Sequence, residues 1–137
     1  AIAFGFSRVM KRQAAEPCPC GRPRPYAECC GRLHAGVAAA DAESLMRSRY
    51  CAYVLGREDY LLATWHVTTR PAMLDLAHGP QPKWLGLEVM SSTESGDEAG
   101  VEFVALCRIG GRARRLREQS RFLREQGRWY YLNGVMA

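Results

Sequence analysis

The residues best suited to chemistry are four cysteines close together near the start of the chain. They form the pair Cys18-Pro-Cys20 and, after eight intervening residues, the adjacent pair Cys29-Cys30. Zinc prefers four ligands in a tetrahedron, and thiolates suit it. Gly21, directly after the first pair, lets the chain turn with backbone amides toward sulfur. The spacing therefore predicts one zinc ion with no open coordination position, which is a structural rather than a catalytic metal.

Other interpretations of the cysteines are weaker. A disulfide is disfavoured because neighbouring cysteines are awkward to bridge, and the spacing does not match the usual iron–sulfur patterns. Four unrelated cysteines would be unusual in so short a segment flanked by glycines. His34 is an alternative ligand but is superfluous beside four thiolates, and Cys51 and Cys107 are interpreted as free structural thiols. A short helix is predicted to open at Pro25 and end at Gly31, bringing the second cysteine pair to the metal.

Three further helix starts are predicted in the region after residue 40. Asp41 is a good N-cap for the first helix, and Gly56 is a good stop. One face of that helix carries Leu45, Met46, Arg49, Tyr50 and Tyr53. Asp59 is predicted to cap a second, shorter helix, and Pro71 to begin a third.

Four strand-like runs follow a connector rich in glycine and proline. They cover residues 84–92, 101–107, 113–125 and 129–132, with Gly110-Gly111 and Gln126-Gly127 as hairpin connections. The run 113–125 is rich in helix formers, but its alternation has a period of two, so we interpret it as a strand. Helices followed by an antiparallel meander predict an α+β domain with the helices on one face of the sheet.

Composition and charge limit the functions to consider. A chain of 137 residues, 47% of them hydrophobic, fits one soluble domain with a small appendage. The net charge of +5 is mild and does not demand nucleic acid as a partner. The apolar run at residues 1–6 is too short for a signal peptide, and no run approaches the roughly 20 apolar residues that span a bilayer, so we expect a cytoplasmic location. Residues 1–16 are interpreted as a flexible leader, with Met10 as a candidate native start.

Residues 18–31 resemble the SEC-C motif, a small zinc module also found at the C-terminus of the preprotein translocase motor SecA. The positions in register with that motif are Cys18, Cys20, Gly21, Tyr26, Cys29, Cys30 and Gly31. The resemblance implies ligand roles for the four cysteines. The chain departs from the motif at Arg22 and Pro23, where Ser-Gly is usual, and this departure affects the shape of the loop rather than the ligation.

From residue 17 to residue 134 the chain resembles the YchJ-like family of bacterial proteins. The resemblance rests on the zinc motif together with the segments 41–50, 64–66 and 127–131. It implies a zinc knuckle at residues 17–34. At residues 35–137 it implies a nuclear transport factor 2-like domain, which is a cone of about three helices packed on a curved, four-stranded antiparallel sheet. The family has no firmly assigned activity, so the resemblance supplies a fold and not a function.

A buried arginine inside the predicted cone marks a candidate pocket. Arg49 lies in the middle of an apolar helix face, and a buried guanidinium needs a partner. Glu118 is the predicted partner, since it shares the inward strand face with Ser120. The other candidate lining residues are Tyr50, Tyr53, Trp65, His66 and Trp84. The same residues also fit a satisfied buried ion pair with His66 capping a helix, and that interpretation is the favoured one.

A stripe of arginines marks a second candidate surface. If 113–125 is a strand, Arg115, Arg117 and Arg121 project together from the face opposite Glu118. Such a stripe suits an anionic partner, although a charged outer face is more often simply solvated. It lacks interleaved aromatic residues, so nucleic-acid binding is not expected.

Two functions from different classes follow from these observations. The first is a zinc-binding accessory protein whose motif docks onto a protein partner, with no catalytic residue and no enzymatic activity. The second is a small-molecule-binding protein or enzyme that uses the cavity of the cone. An apolar cavity lined by Arg49, His66 and Glu118 would favour the second, whereas a filled cone with Arg22, Arg24 and Tyr26 exposed beside the metal would favour the first.

Overall fold

The computed structural model describes residues 16–136, so residues 1–15 of the predicted leader lie outside the described residues. Two helical turns of the N-terminal motif come first, and two helices and a sheet follow. The elements are a 3-10 helix at Tyr26–Glu28, α1 at Cys30–His34, α2 at Ala42–Leu55, α3 at Glu58–Ala63, β1 at Lys83–Ser95, β2 at Glu98–Ile109, β3 at Arg112–Glu125 and β4 at Arg128–Met136. The α+β order predicted from the sequence is confirmed. Within this part of the chain, no helix has the length and apolar character needed to cross a membrane.

The long helix α2 begins and ends at the residues that its sequence predicts. The backbone N–H of Ser44 donates to Asp41 Oδ1 at 2.7 Å, which satisfies one of the free donors at the helix start. Gly56 ends the helix in the left-handed conformation with φ 71°, which glycine adopts without a steric penalty.

The predictions for the neighbouring helices are partly wrong. Helix α3 has Arg57 at its N-cap, and Asp59 lies inside the first turn, where its carboxylate pairs with Arg57 at 3.1 Å instead of capping the backbone. No helix begins at Pro71 among the described residues. The backbone N–H groups of Leu74 and Leu76 donate to the Glu58 carboxylate, so this segment is fastened to α3 without forming helical hydrogen bonds of its own.

The predicted helix from Pro25 to Gly31 is also wrong in its extent. The chain forms a 3-10 turn, breaks at Cys29 with φ −125° and ψ −115°, and continues as α1 through Gly31 to His34. A Cβ atom at Gly31 would lie 2.7 Å from the backbone oxygen of Tyr26. Glycine therefore permits the close packing of the two helical turns and does not end a helix.

The four strands form one antiparallel meander in the order β1-β2-β3-β4. Both predicted hairpin turns are confirmed, with φ of 57° and 79° at Gly110-Gly111 and of 51° and 77° at Gln126-Gly127. Positive φ at both central residues gives the turn a twist that matches the strands. The pairing skips Leu85 and Met90 of β1 and Leu132 of β4, and such bulges bend a sheet.

Helix α2 packs against one face of the sheet. Its buried contribution is Ala42, Leu45 and Met46, and the sheet contributes Val101, Phe122 and Trp129. Burial of these apolar side chains is the main favourable term that holds the helix on the sheet. One side of α2 is thereby fixed toward the interior of the cone, and a different side is left for the N-terminal motif.

Candidate metal centre and adjoining cavity

Four cysteine sulfur atoms converge between the N-terminal motif and helix α2. The Sγ atoms of Cys18, Cys20, Cys30 and Cys51 all lie within 4.8 Å of one another, and all four residues are buried. The Cys18 and Cys51 sulfurs are 3.5 Å apart. The sequence predicted the first three of these positions, but it predicted that Cys51 is an unrelated free thiol.

Cys29, the remaining predicted ligand, is buried beside this group without belonging to it. Its Sγ lies 3.7 Å from the Cys20 Sγ, but the group of four mutually close sulfurs contains Cys51 in its place. Cys107 is buried elsewhere, in strand β2. No disulfide joins any of the six cysteines.

The donor set fits a soft divalent cation. A zinc–sulfur bond of about 2.3 Å places the sulfurs of a tetrahedral site about 3.8 Å apart. The distance of 3.5 Å between the Cys18 and Cys51 sulfurs is close to that edge length, and the Cys29 sulfur lies beside the group, 3.7 Å from that of Cys20. The cluster holds one more cysteine than four-coordinate zinc requires, so these residues fit zinc with one thiol to spare.

Hydrogen bonds among the thiols set their acidity. The hydrogen bond from Cys18, followed by those from Cys30 and Cys51, lowers the pKa of Cys20 far below its ordinary value. Hydrogen bonds to Cys18 and Cys20 raise the pKa of Cys30 and of Cys51. Burial raises the pKa of Cys29 to about 11. A bound cation displaces the remaining thiol protons, so metal affinity at this cluster is expected to rise with pH.

A polar face of α2 holds the motif in place. The face consists of Ser44, Arg47, Ser48 and Cys51, which are spaced three or four residues apart and so lie together along the helix. Arg22 donates to the Ser44 hydroxyl at 3.1 Å, and Arg47 donates to the Cys20 carbonyl at 2.7 Å. The regular spacing of these polar residues is the sequence signal for the position of Cys51. It indicates that α2 has a second packed face in addition to its apolar face.

His34 forms a further link between the motif and α2. Its Nε2 lies 2.8 Å from the Ser48 carbonyl, which only accepts, so Nε2 carries the proton. Its Nδ1 then accepts from the Tyr26 hydroxyl at 2.6 Å. Burial lowers the pKa of His34, the bond to Ser48 raises it, and the charge of Arg57 lowers it further. His34 is thus a neutral structural bridge, in agreement with its exclusion from the metal ligands.

The interior of the cone contains a cavity of about 180 Å³ on the other side of α2. Its lining includes six of the eight predicted pocket residues, which are Arg49, Tyr50, Tyr53, Trp84, Glu118 and Ser120. Apolar side chains complete the wall, among them Met46, Ala105, Leu116 and Phe122. The wall of the cavity therefore combines charged and polar side chains with apolar ones.

The predicted ion pair between Arg49 and Glu118 is absent. Arg49 is 6% exposed, and its Nη1 donates to the Leu61 carbonyl and to the Thr64 hydroxyl, each at 2.7 Å. Among residues 16–136, no carboxylate forms an ion pair with it. The end of α3 supplies oxygen acceptors closer than any carboxylate, and Ser120 donates to Glu118 instead. Burial lowers the pKa of Arg49 to about 10, which keeps it charged at neutral pH.

Trp65 and His66 lie outside the cavity lining. The Trp65 ring contacts the Arg49 guanidinium at 5.0 Å, and its Nε1 is a buried polar atom without a hydrogen-bond partner in the described residues. His66 Nε2 lies 2.6 Å from Glu125 Oε1, and its backbone N–H donates to the Tyr131 carbonyl at 2.7 Å. The Trp65 ring also lies 4.9 Å from the Tyr131 ring, so both residues join the end of α3 to the sheet.

The predicted arginine stripe lies on the outer face of β3. Arg115, Arg117 and Arg121 are exposed, whereas Ser120 and Phe122 of the same strand are buried. Arg117 pairs with Glu102 at 3.0 Å. The use of this stripe by an anionic partner stays a prediction.

Known protein families match both parts of the chain. Residues 41–134 match the family described as YchJ, middle NTF2-like domain, and residues 15–32 match the SEC-C motif. A protein named UPF0225 from Xanthomonas campestris pv. campestris (strain 8004) is 58% identical over 120 residues, covering 86% of this chain and 93% of that protein. A UPF0225 protein from Bordetella pertussis is 54% identical over 131 residues, covering 91% and 98%.

Two solved structures share the fold over nearly the whole chain. The solution structure of a SEC-C motif containing protein from Rhodopseudomonas palustris has a TM-score of 0.79 and 35% identity, and covers 89% of this chain and 99% of that one. The crystal structure of a SEC-C motif containing protein from Psychrobacter arcticus has a TM-score of 0.77 and 27% identity, covering 92% and 85%. These matches confirm the resemblance that the zinc motif and the segments after it indicated.

Proposed function

The chain belongs to the YchJ family, also named UPF0225, and on that premise we propose that it is a zinc-stabilised protein that binds a small molecule in its nuclear transport factor 2-like domain. The observation that carries the proposal is the buried Arg49 guanidinium in the wall of an apolar cavity, with no carboxylate in contact with it among the described residues. If the interior of the cone were only a packed core, an apolar side chain would be expected at position 49, because burying a cation costs free energy.

The cavity sets the size and polarity of the ligand. Its volume of about 180 Å³ is similar to that of a cavity of about 150 Å³ that accepts benzene. Arg49 supplies hydrogen-bond donors, and the Glu118 carboxylate supplies acceptors in the same wall. Because one side chain of the wall donates hydrogen bonds and another accepts them, the ligand class that fits is a neutral single-ring molecule whose polar group both accepts and donates, such as a phenol or a primary amide.

The metal centre has a structural role in this proposal. Zinc with four cysteine ligands has no open position for a substrate, so it would order the motif and not take part in a reaction. Four thiolates favour zinc over harder cations such as magnesium. The cavity and the metal centre are separated by α2, which contributes side chains to both.

The contacts of the motif favour an internal role over docking to a protein partner. Arg22 binds Ser44 and Glu43 of the same chain, and the Tyr26 hydroxyl binds His34. Two of the three side chains that were candidates for a docking surface are thus engaged within the molecule. Arg24 remains exposed beside the metal centre and is the side chain left for a partner.

Ligand-observed NMR tests the cavity. Saturation-transfer spectra would be recorded with phenol, benzamide and toluene for the wild-type protein and for Ala105→Leu, which fills the cavity without altering Arg49 or Glu118. The matched control is Ala113→Leu, because Ala113 is exposed on β3. We expect phenol and benzamide to bind the wild type and the control, and to lose binding in Ala105→Leu.

Two results would overturn this assignment. The first is the absence of binding by every probe at millimolar concentration. The second is equal binding by the wild type and a folded Ala105→Leu variant, which would place the probes elsewhere on the surface. If the leucine variant unfolds, Ala105→Val provides a smaller filling of the same wall.

A further inference from the structure

We infer that Cys51 of helix α2 is the fourth metal ligand, together with Cys18, Cys20 and Cys30, and that Cys29 is a buried thiol beside the site. This inference rests on the metal binding proposed above and is independent of the cavity. It assigns a ligand to the nuclear transport factor 2-like domain, outside the N-terminal motif.

The geometry of the sulfurs carries the assignment. A four-coordinate site needs four sulfurs that are all neighbours of one another, since every pair forms an edge of the same tetrahedron. The group with that property contains Cys51, and Cys29 is outside it. Cys51 is fully buried, and its sulfur lies 3.5 Å from that of Cys18.

The backbone explains why the two adjacent cysteines differ. Cys29 lies at the break between the 3-10 helix and α1, with φ −125° and ψ −115°, whereas Cys30 is the first residue of α1. Neighbouring residues on either side of such a break project differently. Only Cys30 of the pair joins the three other sulfurs.

The consequence is a cross-link between two parts of the fold. Cys18 and Cys51 are 33 residues apart in sequence, so a metal bound to both closes a long loop and fastens the motif to α2. The polar contacts of Arg22, Arg47 and His34 already align the two surfaces. The metal therefore cross-links the motif to the domain.

Three single variants of the full chain test the assignment. Cys51→Ser, Cys29→Ser and the matched control Cys107→Ser would be loaded with zinc, and their affinity would be measured by competition with a chromogenic chelator. We expect Cys51→Ser to weaken zinc binding by about a hundredfold, because loss of a ligand should cost at least as much as loss of an outer-shell partner, which costs roughly 10–100-fold. Cys29→Ser and Cys107→Ser should stay close to the wild type.

A second measurement needs no substitution and covers the case in which Cys51→Ser fails to fold. The wild-type protein is loaded with cadmium-113, and scalar couplings from the metal to cysteine Hβ protons identify the bound residues. We expect couplings to Cys18, Cys20, Cys30 and Cys51. Couplings to Cys29 with none to Cys51 would overturn the inference while leaving the metal site intact, and a wild type that binds neither zinc nor cadmium would overturn the site itself.

Discussion

Replacing Arg47 by methionine should loosen the motif from helix α2. The Arg47 side chain is 15% exposed, its Nη1 donates to the Cys20 carbonyl at 2.7 Å, and its Nε lies 3.0 Å from Glu43 Oε2. Methionine retains much of the apolar stem but has no donor, so the carbonyl of the buried Cys20 loses its partner.

The size of the effect follows from these two contacts. A hydrogen bond from a charged donor contributes about 1.5–3 kcal/mol, and a helical ion pair four residues apart contributes about 0.3–0.5 kcal/mol. The expected loss in the free energy of unfolding is therefore about 2–3.5 kcal/mol. For a domain of this size, each kcal/mol lowers the melting temperature by roughly 3–5 °C.

Circular dichroism during urea unfolding, with the metal site of the protein saturated with zinc, measures this loss. The matched control is Arg57→Met, because Arg57 pairs with Asp59 at 3.1 Å on the surface, where the two side chains are 38% and 73% exposed. An exposed pair contributes about 0–1 kcal/mol. Equal losses for the two arginine variants would refute the idea that Arg47 holds the motif on the helix.

Two further predictions concern the pH dependence of the His34 contact and the N-cap of α2. His34 is neutral when folded because burial lowers its pKa, whereas the unfolded chain takes up a proton near pH 6.5, so stability should fall as the pH drops below that value. The difference in unfolding free energy between the wild type and His34→Gln, measured from pH 8 to pH 5, should shrink in acid; a difference that does not change with pH would contradict this. Asp41→Ala should cost about 1 kcal/mol by removing the cap of α2, and Asp59→Ala about 0.5 kcal/mol or less, because its carboxylate does not cap α3. Equal costs in thermal unfolding would count against this assignment of the caps.

Local signals in the sequence predicted those elements whose causes are local. Asp41 and Gly56 act within one helical turn, and Gly110-Gly111 acts within one hairpin. The alternation in 113–125 predicted a strand whose Ser120 and Phe122 point inward. In each case the residues that determine the structure lie within a few positions of the structure that they determine.

The features that the sequence did not predict depend on contacts between distant segments. Asp59 and Pro71 are residue types that often start helices. The Asp59 carboxylate pairs with Arg57 instead, and the Glu58 carboxylate accepts a hydrogen bond from the segment that follows Pro71. Arg49 finds acceptors on α3 and not on β3. Cys51 lies on the polar face of α2, on which Ser48 and Cys51 are buried, and the sulfurs that it joins belong to the distant N-terminal motif.

The two packed faces of α2 also limit how this protein can change in length. The helix turns about 100° per residue, so a one-residue insertion near Ser48 would rotate every later side chain away from its place. The same insertion would move Cys51 out of the sulfur cluster and Tyr53 out of the cavity wall. The exposed stretch at 35–38, between the motif and α2, carries no such double constraint. Insertions and deletions among relatives are therefore expected in that connection and not within α2.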